Sequence, residues 1–105
     1  MVEPHLFAGF SGGAKSILPG ISGVETVLRN HRPENMDHSC TVPGVLDGNP
    51  VRMEMEEAAR KVGLKFTLNV AIDEAGKVTA AVGGDPYYSH RACVSEAVSY
   101  THLRA

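Results

Sequence analysis

Four glycines fall in the short segment from Gly9 to Gly20, and a single lysine, Lys15, stands among them. Glycine at this density disfavours a regular helix or strand and predicts tight turns. A glycine turn lets backbone N–H groups approach a ligand closely, and such turns often hold phosphate groups. The segment around Lys15 is therefore the first candidate for a functional site.

The composition limits what kind of protein this is. A chain of 105 residues allows one domain, and its net charge of −2, with no basic run, predicts neither nucleic acid nor a membrane as a partner. Its apolar runs are far shorter than the roughly 20 residues of a membrane helix. Cys40 and Cys93 are widely spaced and no signal peptide is visible. Free thiols and a cytoplasmic location are therefore expected.

The N-terminal part predicts an extended segment over Val2–Phe10, a turn over Ser11–Lys15, and a helix beyond it. Ser22 suits the N-cap position of that helix, because Glu25 follows three residues later as in a capping box. Pro33 is predicted to end the helix. The residues that share its apolar face by spacing are Val24, Val27, Leu28 and His31.

The clearest helix signal follows a long polar loop predicted over 34–48. Asn49 suits the N-cap, Pro50 the first helical position, and Gly63 the C-terminal stop. The predicted buried stripe consists of Val51, Met55, Ala58, Ala59 and Val62. The predicted solvent face consists of Glu54, Glu56, Glu57, Arg60 and Lys61.

A β-hairpin and a last helix complete the pattern. Residues 65–72 alternate, with apolar side chains at the even positions, which predicts a half-buried strand. A turn over 73–76 leads to a second strand over 77–82, and a helix is predicted from Tyr87 to about Val98. The fold class is therefore α/β, with amphipathic helices and a hairpin after the glycine-rich turn. Residues 1–98 are predicted as one partial domain, and 99–105, which lack the preceding pattern, as a non-native tail.

Two interpretations of the glycine segment need no relationship to a known protein. In the first, Gly9 and the Ala14-Lys15-Ser16 triplet form a phosphate-binding P-loop, but alanine replaces the second glycine and Pro19 interrupts the helix that should follow. In the second, the segment is a tight turn that only packs. That interpretation leaves a histidine and a lysine bracketing the turn without a role.

A third interpretation comes from resemblance. The segment His5-Leu-Phe-Ala-Gly-Phe-Ser-Gly-Gly-Ala-Lys15-Ser-Ile-Leu-Pro-Gly, with Glu25-Thr26 and Asn30-His31 after it, resembles the nickel-pincer-dependent lactate racemase family. Later motifs also resemble that family, namely Asp47-Gly48-Asn49-Pro50, Phe66-x-x-Asn69-Val70 and Gly84-Asp85-Pro86. The resemblance covers about residues 3–96. Ala14 departs from it, since a larger basic residue is common at that position in relatives.

The resemblance implies a role for each matching residue. Lys15 corresponds to the lysine that bonds to the nickel-pincer nucleotide, a thio-substituted pyridinium mononucleotide, through a thioamide. His31 corresponds to the histidine that ligates the nickel, and His5 to one of two catalytic histidines that exchange a proton with the substrate hydroxyl. Imidazole suits both tasks, because it binds nickel and titrates near neutral pH. We expect the glycine turn, with Ser11, Gly12 and Gly13, to hold the nucleotide phosphate.

The implied reaction is inversion of the α-carbon of a 2-hydroxy acid such as lactate. A base takes the hydroxyl proton while hydride moves to the cofactor, and hydride return to the opposite face of the 2-oxo acid inverts the centre. Enzymes of this family are about four times as long and have two domains. We therefore expect a fragment of the cofactor-bearing domain, inactive alone, whose partners are a 2-hydroxy acid and the cofactor-synthesis enzymes. The alternative is a non-catalytic nucleotide- or metal-binding module.

Each histidine and the lysine also has a simpler interpretation. Taken alone, His5 suits a capping residue in a turn, and His31 suits a partner for a helix dipole. Lys15 alone would be an exposed lysine. His38 is predicted to be solvated, and His90 to be a surface or packing residue. Only the joint spacing of His5, Lys15 and His31 favours the catalytic interpretation.

Overall fold

The computed structural model describes the backbone of residues 1–104 and the side chains of residues 1–99. The elements are β1 (Pro4–His5), β2 (Gly9–Phe10), a 3₁₀ turn (Gly13–Ser16), α1 (Val24–Asn30), α2 (Pro33–Met36), α3 (Pro50–Lys61), β3 (Thr67–Ile72), β4 (Val78–Gly84) and α4 (Pro86–Arg104). The two sheets, β1–β2 and β3–β4, are both antiparallel and two-stranded. The α/β fold class is confirmed. In the part of the chain that is described, no helix is long and apolar enough to cross a membrane.

The start of α1 differs from the prediction. Gly23, not Ser22, is the N-cap, because the Ser22 hydroxyl donates instead to the carbonyl oxygen of Ile17 at 2.7 Å. The predicted apolar face is also wrong as a buried face, since Val24 is 75% exposed and Leu28 is 65% exposed. The helix is too short to bury a full stripe, and it contacts α3 mainly through its C-terminal end, where Asn30 is buried.

The segment after α1 is only partly the loop that was predicted. Pro33 does not simply stop a helix but occupies the first position of α2. The carbonyl of Arg32 accepts hydrogen bonds from the N–H groups of Asn35 and Met36, at 2.9 and 3.0 Å. Residues 37–48 then run as turns and bends to α3.

Helix α3 begins and ends as predicted, but its buried face is rotated. The Asn49 side chain accepts hydrogen bonds from the N–H groups of Val51 and Arg52, at 3.0 and 3.2 Å. Gly63 follows the helix with a φ of +75°, the left-handed conformation that favours glycine. Val62 is exposed, and the predictions that Glu56 is solvated and Val62 buried are therefore wrong. Arg52 and Glu56 are buried instead, because polar groups of neighbouring elements surround them.

The β3–β4 hairpin packs on α4 through the face opposite to the one predicted. Asn69 and Ala71, at odd positions, are buried, whereas Leu68 is 65% exposed. Two features explain this inversion. The small Ala71 lets α4 approach and lies in one cluster with Cys93, and the Asn69 amide donates to the Ser89 hydroxyl of α4 at 2.9 Å.

The core has two parts that meet at the 3₁₀ turn. One cluster joins Ala14 and Leu18 to the inner face of α3, at Val51, Met55 and Ala59. The other, centred on Phe10 and Cys93, joins the N-terminal strands to the hairpin and α4. Helix α4 extends to Arg104, six residues beyond its predicted end. Residues 99–104, which were predicted to belong to a non-native tail, are therefore helical. Ala105 lies outside the described residues.

Candidate functional site

His5 lies at the end of β1 and closes the tight turn into β2. Its Nδ1 accepts hydrogen bonds from the backbone N–H groups of Phe7 and Ala8, both at 3.2 Å. An imidazole nitrogen that accepts carries no proton, so the neutral ring has its proton on Nε2. The simpler interpretation of His5 as a capping residue is therefore correct, and it leaves Nε2 as the atom that can act on a ligand.

The three residues singled out by the resemblance are brought together in the fold. Burial lowers the pKa of His5, electrostatic interaction with Lys15 and with His31 lowers it further, and Glu3 opposes them. Phe7 lies between the two histidines, with its ring centroid 6.2 Å from that of His5 and 6.4 Å from that of His31. Residues from the first hairpin, the 3₁₀ turn and the end of α1 thus form one site.

The backbone around Lys15 is held in place by neighbouring residues that are buried against α3. Ala14, just before it, is buried against α3, and Leu18 is buried in the same cluster. The Lys15 N–H donates to the carbonyl of Gly12 at 3.2 Å, and its own carbonyl accepts from Gly20 at 3.1 Å. The lysine is half-buried, not fully exposed as the simplest interpretation holds. Its backbone is held by these hydrogen bonds, and its charge acts on the pKa of His5.

The position of His31 is fixed by the contacts of the preceding residue, Asn30, with α3. His31 forms the C-cap of α1, with its N–H donating to the carbonyl of Val27 at 3.0 Å. Asn30, which precedes it, is buried and donates to the Val51 carbonyl at 3.2 Å and to Glu54 at 3.3 Å. The end of α1 is thus tied to α3. A position at a helix C-terminus also fits the simpler interpretation of His31 as a partner of the helix dipole.

The glycine turn presents free backbone donors next to Lys15. Gly12 and Gly13 have φ values of +89° and +59°, and among the described residues their N–H groups have no hydrogen-bond acceptor. Ser11 differs from them. Its N–H donates to the Glu3 carbonyl at 2.8 Å, and its hydroxyl donates to the Met1 carbonyl at 2.9 Å. Of the three residues predicted to hold a phosphate, only Gly12 and Gly13 keep an unused N–H.

Two residues to which the sequence interpretation gave no chemical role lie behind the turn. Arg52 of α3 and His90 of α4 are both 0% exposed, and together they contact the carbonyl groups of the glycine segment. A signal for Arg52 existed, because it shares the helical face of Met55 and Ala59 at the i+3 and i+7 positions. His90 is a packing residue, which is one of the two roles predicted for it. His38 is exposed, as predicted.

The donor set suits a metal that arrives with its own ligands. Within residues 1–99, no three His, Cys, Asp or Glu side chains gather as a metal site. A single imidazole from His31 does not hold a free nickel ion, but it can complete the coordination of an ion already bound by an organic group. A nearby lysine amine and free N–H groups supply the other contacts that a nucleotide-borne metal needs. The residues present therefore fit such a cofactor.

The chain is similar in sequence to lactate racemases. Residues 1–41 match the family model described as the lactate racemase N-terminal domain. The lactate racemase of Thermoanaerobacterium thermosaccharolyticum is 47% identical over 89 residues, which cover 85% of this chain and 21% of that protein. The lactate racemase of Lactiplantibacillus plantarum is 40% identical over 90 residues, covering 86% of this chain and 21% of its own length.

The fold agrees with the sequence match. The structure of the lactate racemase apoprotein from Thermoanaerobacterium thermosaccharolyticum superposes with a TM-score of 0.88 at 44% identity, covering 90% of this chain and 23% of that one. This chain thus spans about a fifth of the length of the relatives it matches. The shared sequence, the shared fold and the grouping of His5, Lys15 and His31 lead to one conclusion: the chain belongs to the lactate racemase family.

Proposed function

We propose that this chain forms the cofactor-bearing part of a racemase or epimerase that inverts the α-carbon of a 2-hydroxy acid such as lactate. The observation that carries the proposal is the convergence of His5, Lys15 and His31 from three separate elements on one site. Lys15 tethers a nickel-pincer nucleotide covalently, and His31 ligates its nickel. When bound, this cofactor would supply hydride transfer from and back to the α-carbon of the substrate.

The geometry supports the tether at Lys15. Lys15 is half-buried, its charge helps to lower the pKa of His5, and its backbone lies in the 3₁₀ turn. The unused N–H groups of Gly12 and Gly13 precede it and suit the nucleotide phosphate, because such groups attract anions. Ser11 belongs to this site only through its position in the turn, since both its N–H and its hydroxyl are occupied.

His5 exchanges the proton of the substrate hydroxyl at Nε2. In the tautomer fixed by Phe7 and Ala8, Nε2 carries a proton and donates a hydrogen bond to a ligand oxygen. To take up a proton, Nε2 must first be free, which places a proton on Nδ1. An Nδ1–H cannot face the two backbone N–H groups, so the ring must turn away from them as the reaction proceeds.

The proposed reaction also requires partner enzymes and a second proton-exchanging group. Formation of the tether requires cofactor-synthesis enzymes as partners, and these act in the cytoplasm, where we place the protein. The enzyme needs a second proton-exchanging group on the opposite substrate face, because one base serves one enantiomer. The competing function is a non-catalytic nucleotide- or metal-binding module, which the free N–H groups of Gly12 and Gly13 alone would also support.

A mass measurement separates these two functions. The chain is co-expressed with the cofactor-making enzymes, and its intact mass is recorded with that of Lys15→Arg and of a control, Lys65→Arg, at an exposed lysine. A nickel-containing adduct is expected on the wild type and on Lys65→Arg, but not on Lys15→Arg. A nucleotide retained without any covalent adduct would support the binding module instead.

Activity is tested in a chimera. The segment of 89 matched residues in the Thermoanaerobacterium relative is replaced by that of this chain. Interconversion of the lactate enantiomers is then followed by chiral chromatography. We expect turnover that depends on Lys15. A folded, cofactor-loaded chimera that leaves both enantiomers unchanged would contradict the proposed reaction.

A further inference from the structure

We infer that Arg52 and His90 are positioning residues that fix, from behind, the turn that carries Lys15; the inference rests on the proposed function in taking Lys15 as the reacting group. Arg52 Nη1 donates to the carbonyl oxygens of Phe10 and Gly12, at 3.2 and 3.1 Å. His90 Nε2 lies 2.8 Å from the carbonyl oxygen of Ser11 between them. Three successive carbonyls are therefore held by two side chains.

The two side chains are also joined to each other, and the direction of each bond follows. A carbonyl can only accept, so His90 Nε2 carries a proton and donates to Ser11. The neutral ring then has an unprotonated Nδ1, which accepts from Arg52 Nη2 at 3.1 Å. Burial and the charge of Arg52 lower the pKa of His90 to about 4, which keeps the ring neutral. The hydrogen-bond network thus has one consistent arrangement of protons at neutral pH.

Holding these carbonyls sets the direction of the N–H groups that follow them. In a planar trans peptide the C=O and N–H bonds point in opposite directions. With the Ser11 and Gly12 carbonyls turned towards His90 and Arg52, the N–H groups of Gly12 and Gly13 are turned away from that pair. The side-chain pair therefore decides which way the backbone faces just before Lys15.

The contact with Arg52 and His90 leaves no room for a side chain at position 13. A Cβ atom at Gly13 would lie 2.9 Å from His90 Cγ and 3.0 Å from Arg52 Nη2. Both side chains are fully buried, and Arg52 is further restrained by Glu56, whose carboxylate lies 3.8 Å from its Nε. The glycine at position 13 is thus explained by its fit against this pair, which the glycine pattern alone did not show.

The test uses the full chain and compares the turn with the rest of the fold. The variants are Arg52→Met, His90→Leu and His90→Gln; glutamine places an amide N–H near the position of Nε2 and can still donate to Ser11. The matched control is Asn69→Ala, which removes a buried side chain on β3 that hydrogen-bonds to Thr67, Val82 and Ser89 rather than to the carbonyl groups of the turn. Amide hydrogen exchange is measured for residues 10–16 and for β3, and the rate of adduct formation on Lys15 is measured by intact mass at equal folded fraction.

We expect Arg52→Met and His90→Leu to speed exchange in residues 10–16 selectively and to slow Lys15 loading roughly tenfold or more, within the roughly hundredfold that a misplacement of about 1 Å can cost. His90→Gln should restore both. Asn69→Ala should speed exchange around β3 and leave loading unchanged. Because Arg52→Met can fail to fold, the His90→Leu and His90→Gln pair decides the matter.

Failure of the positioning role and failure of the proposed function would give different results. If His90→Leu matches Asn69→Ala in both measurements, the positioning role is wrong. If the wild type forms no adduct on Lys15, the proposed function fails instead, and the local exchange rates alone then support or overturn the claim that Arg52 and His90 fix this turn.

Discussion

The side chain of Asn49 donates a hydrogen bond of 2.7 Å to the carbonyl oxygen of Phe7, 42 positions earlier in the chain. The same amide donates to Val45 at 3.0 Å, while its oxygen caps α3. One buried residue thus begins α3 and holds the turn closed by His5. The residue that caps α3, Asn49, therefore also helps to hold the site in place.

Replacing Asn49 should therefore have an effect larger than loss of a cap. For Asn49→Ala we expect the free energy of unfolding to fall by about 3 kcal/mol, from the lost cap and the unsatisfied Phe7 and Val45 carbonyls. Urea unfolding followed by circular dichroism measures it. Asn49→Asp keeps the capping oxygen but lacks the N–H donor, so it should lose clearly less, and what it loses measures the contacts with Phe7 and Val45. An Asn49→Asp variant as stable as the wild type would show that the contact with Phe7 contributes little.

Gly9 and Gly44 provide a matched pair, because both have a φ of +83° and the Gly44 N–H donates to the Gly9 carbonyl at 2.9 Å. A Cβ at Gly9 would lie 2.0 Å from the Val45 carbonyl oxygen, whereas one at Gly44 meets no described atom within 4 Å. Gly44→Ala should cost about 1–2 kcal/mol, the strain of left-handed backbone alone. Gly9→Ala should cost on the order of 3 kcal/mol or more. Similar thermal unfolding of the two variants would contradict this.

Local signals in the sequence predicted the parts of the fold that depend on neighbouring residues. Asn49, Pro50 and Gly63 mark the ends of α3 because capping and left-handed glycine are decided within one turn of helix. The grouping of His5, Lys15 and His31 was predicted by resemblance, since their spacing carries information that no single residue does. The fold shows how that spacing brings them together.

The parts that were missed depend on which element packs on which. The alternation of β3 is the same whichever face is covered, so the sequence did not show that α4 would bury Asn69 and leave Leu68 exposed. Arg52 and Glu56 were assigned to solvent or left out because charged residues are rarely buried without partners. Their partners come from the glycine turn and from α4, at a distance in sequence that no helical pattern encodes.

The buried His90 should make stability depend on pH. Its pKa is about 4 in the folded chain, because of burial and the nearby charge of Arg52, against about 6.5 when unfolded. Between these values the unfolded state binds more protons, so the stabilisation is complete above about pH 6.5 and is lost as the pH falls towards 4. The loss attributable to His90 is about 3 kcal/mol at most.

The variant His90→Gln isolates this contribution. It does not titrate, and the other acid-sensitive groups, including His5, remain in both proteins and cancel in the difference. The free energy of unfolding of wild type minus that of His90→Gln should therefore decrease between pH 6.5 and 4. A difference that stays constant over this range would show that folding does not lower the pKa of His90.

The nickel ligand can be tested separately from the tether. In cofactor-loaded chain, His31→Ala should lower the nickel content severalfold while the organic adduct on Lys15 remains, because a monodentate imidazole ligand is lost and the covalent bond is not. Metal analysis and intact mass give the two quantities. His38→Ala, at an exposed histidine, is the control. Unchanged nickel in His31→Ala would remove it as a ligand.

The structural and chemical roles of His5 can be separated by two substitutions. Asparagine places its side-chain oxygen near the position of Nδ1, so His5→Asn should keep the hydrogen bonds from Phe7 and Ala8, whereas His5→Leu should lose them at a cost of about 1–2 kcal/mol. Nitrogen-15 spectra of the wild type should show an unprotonated Nδ1 and a protonated Nε2 at neutral pH. In the chimera, His5→Asn should then be as stable as the wild type but should lower turnover of one lactate enantiomer more than of the other, because only Nε2 chemistry is lost. Equal turnover of both enantiomers at the wild-type rate would leave His5 with the capping role alone.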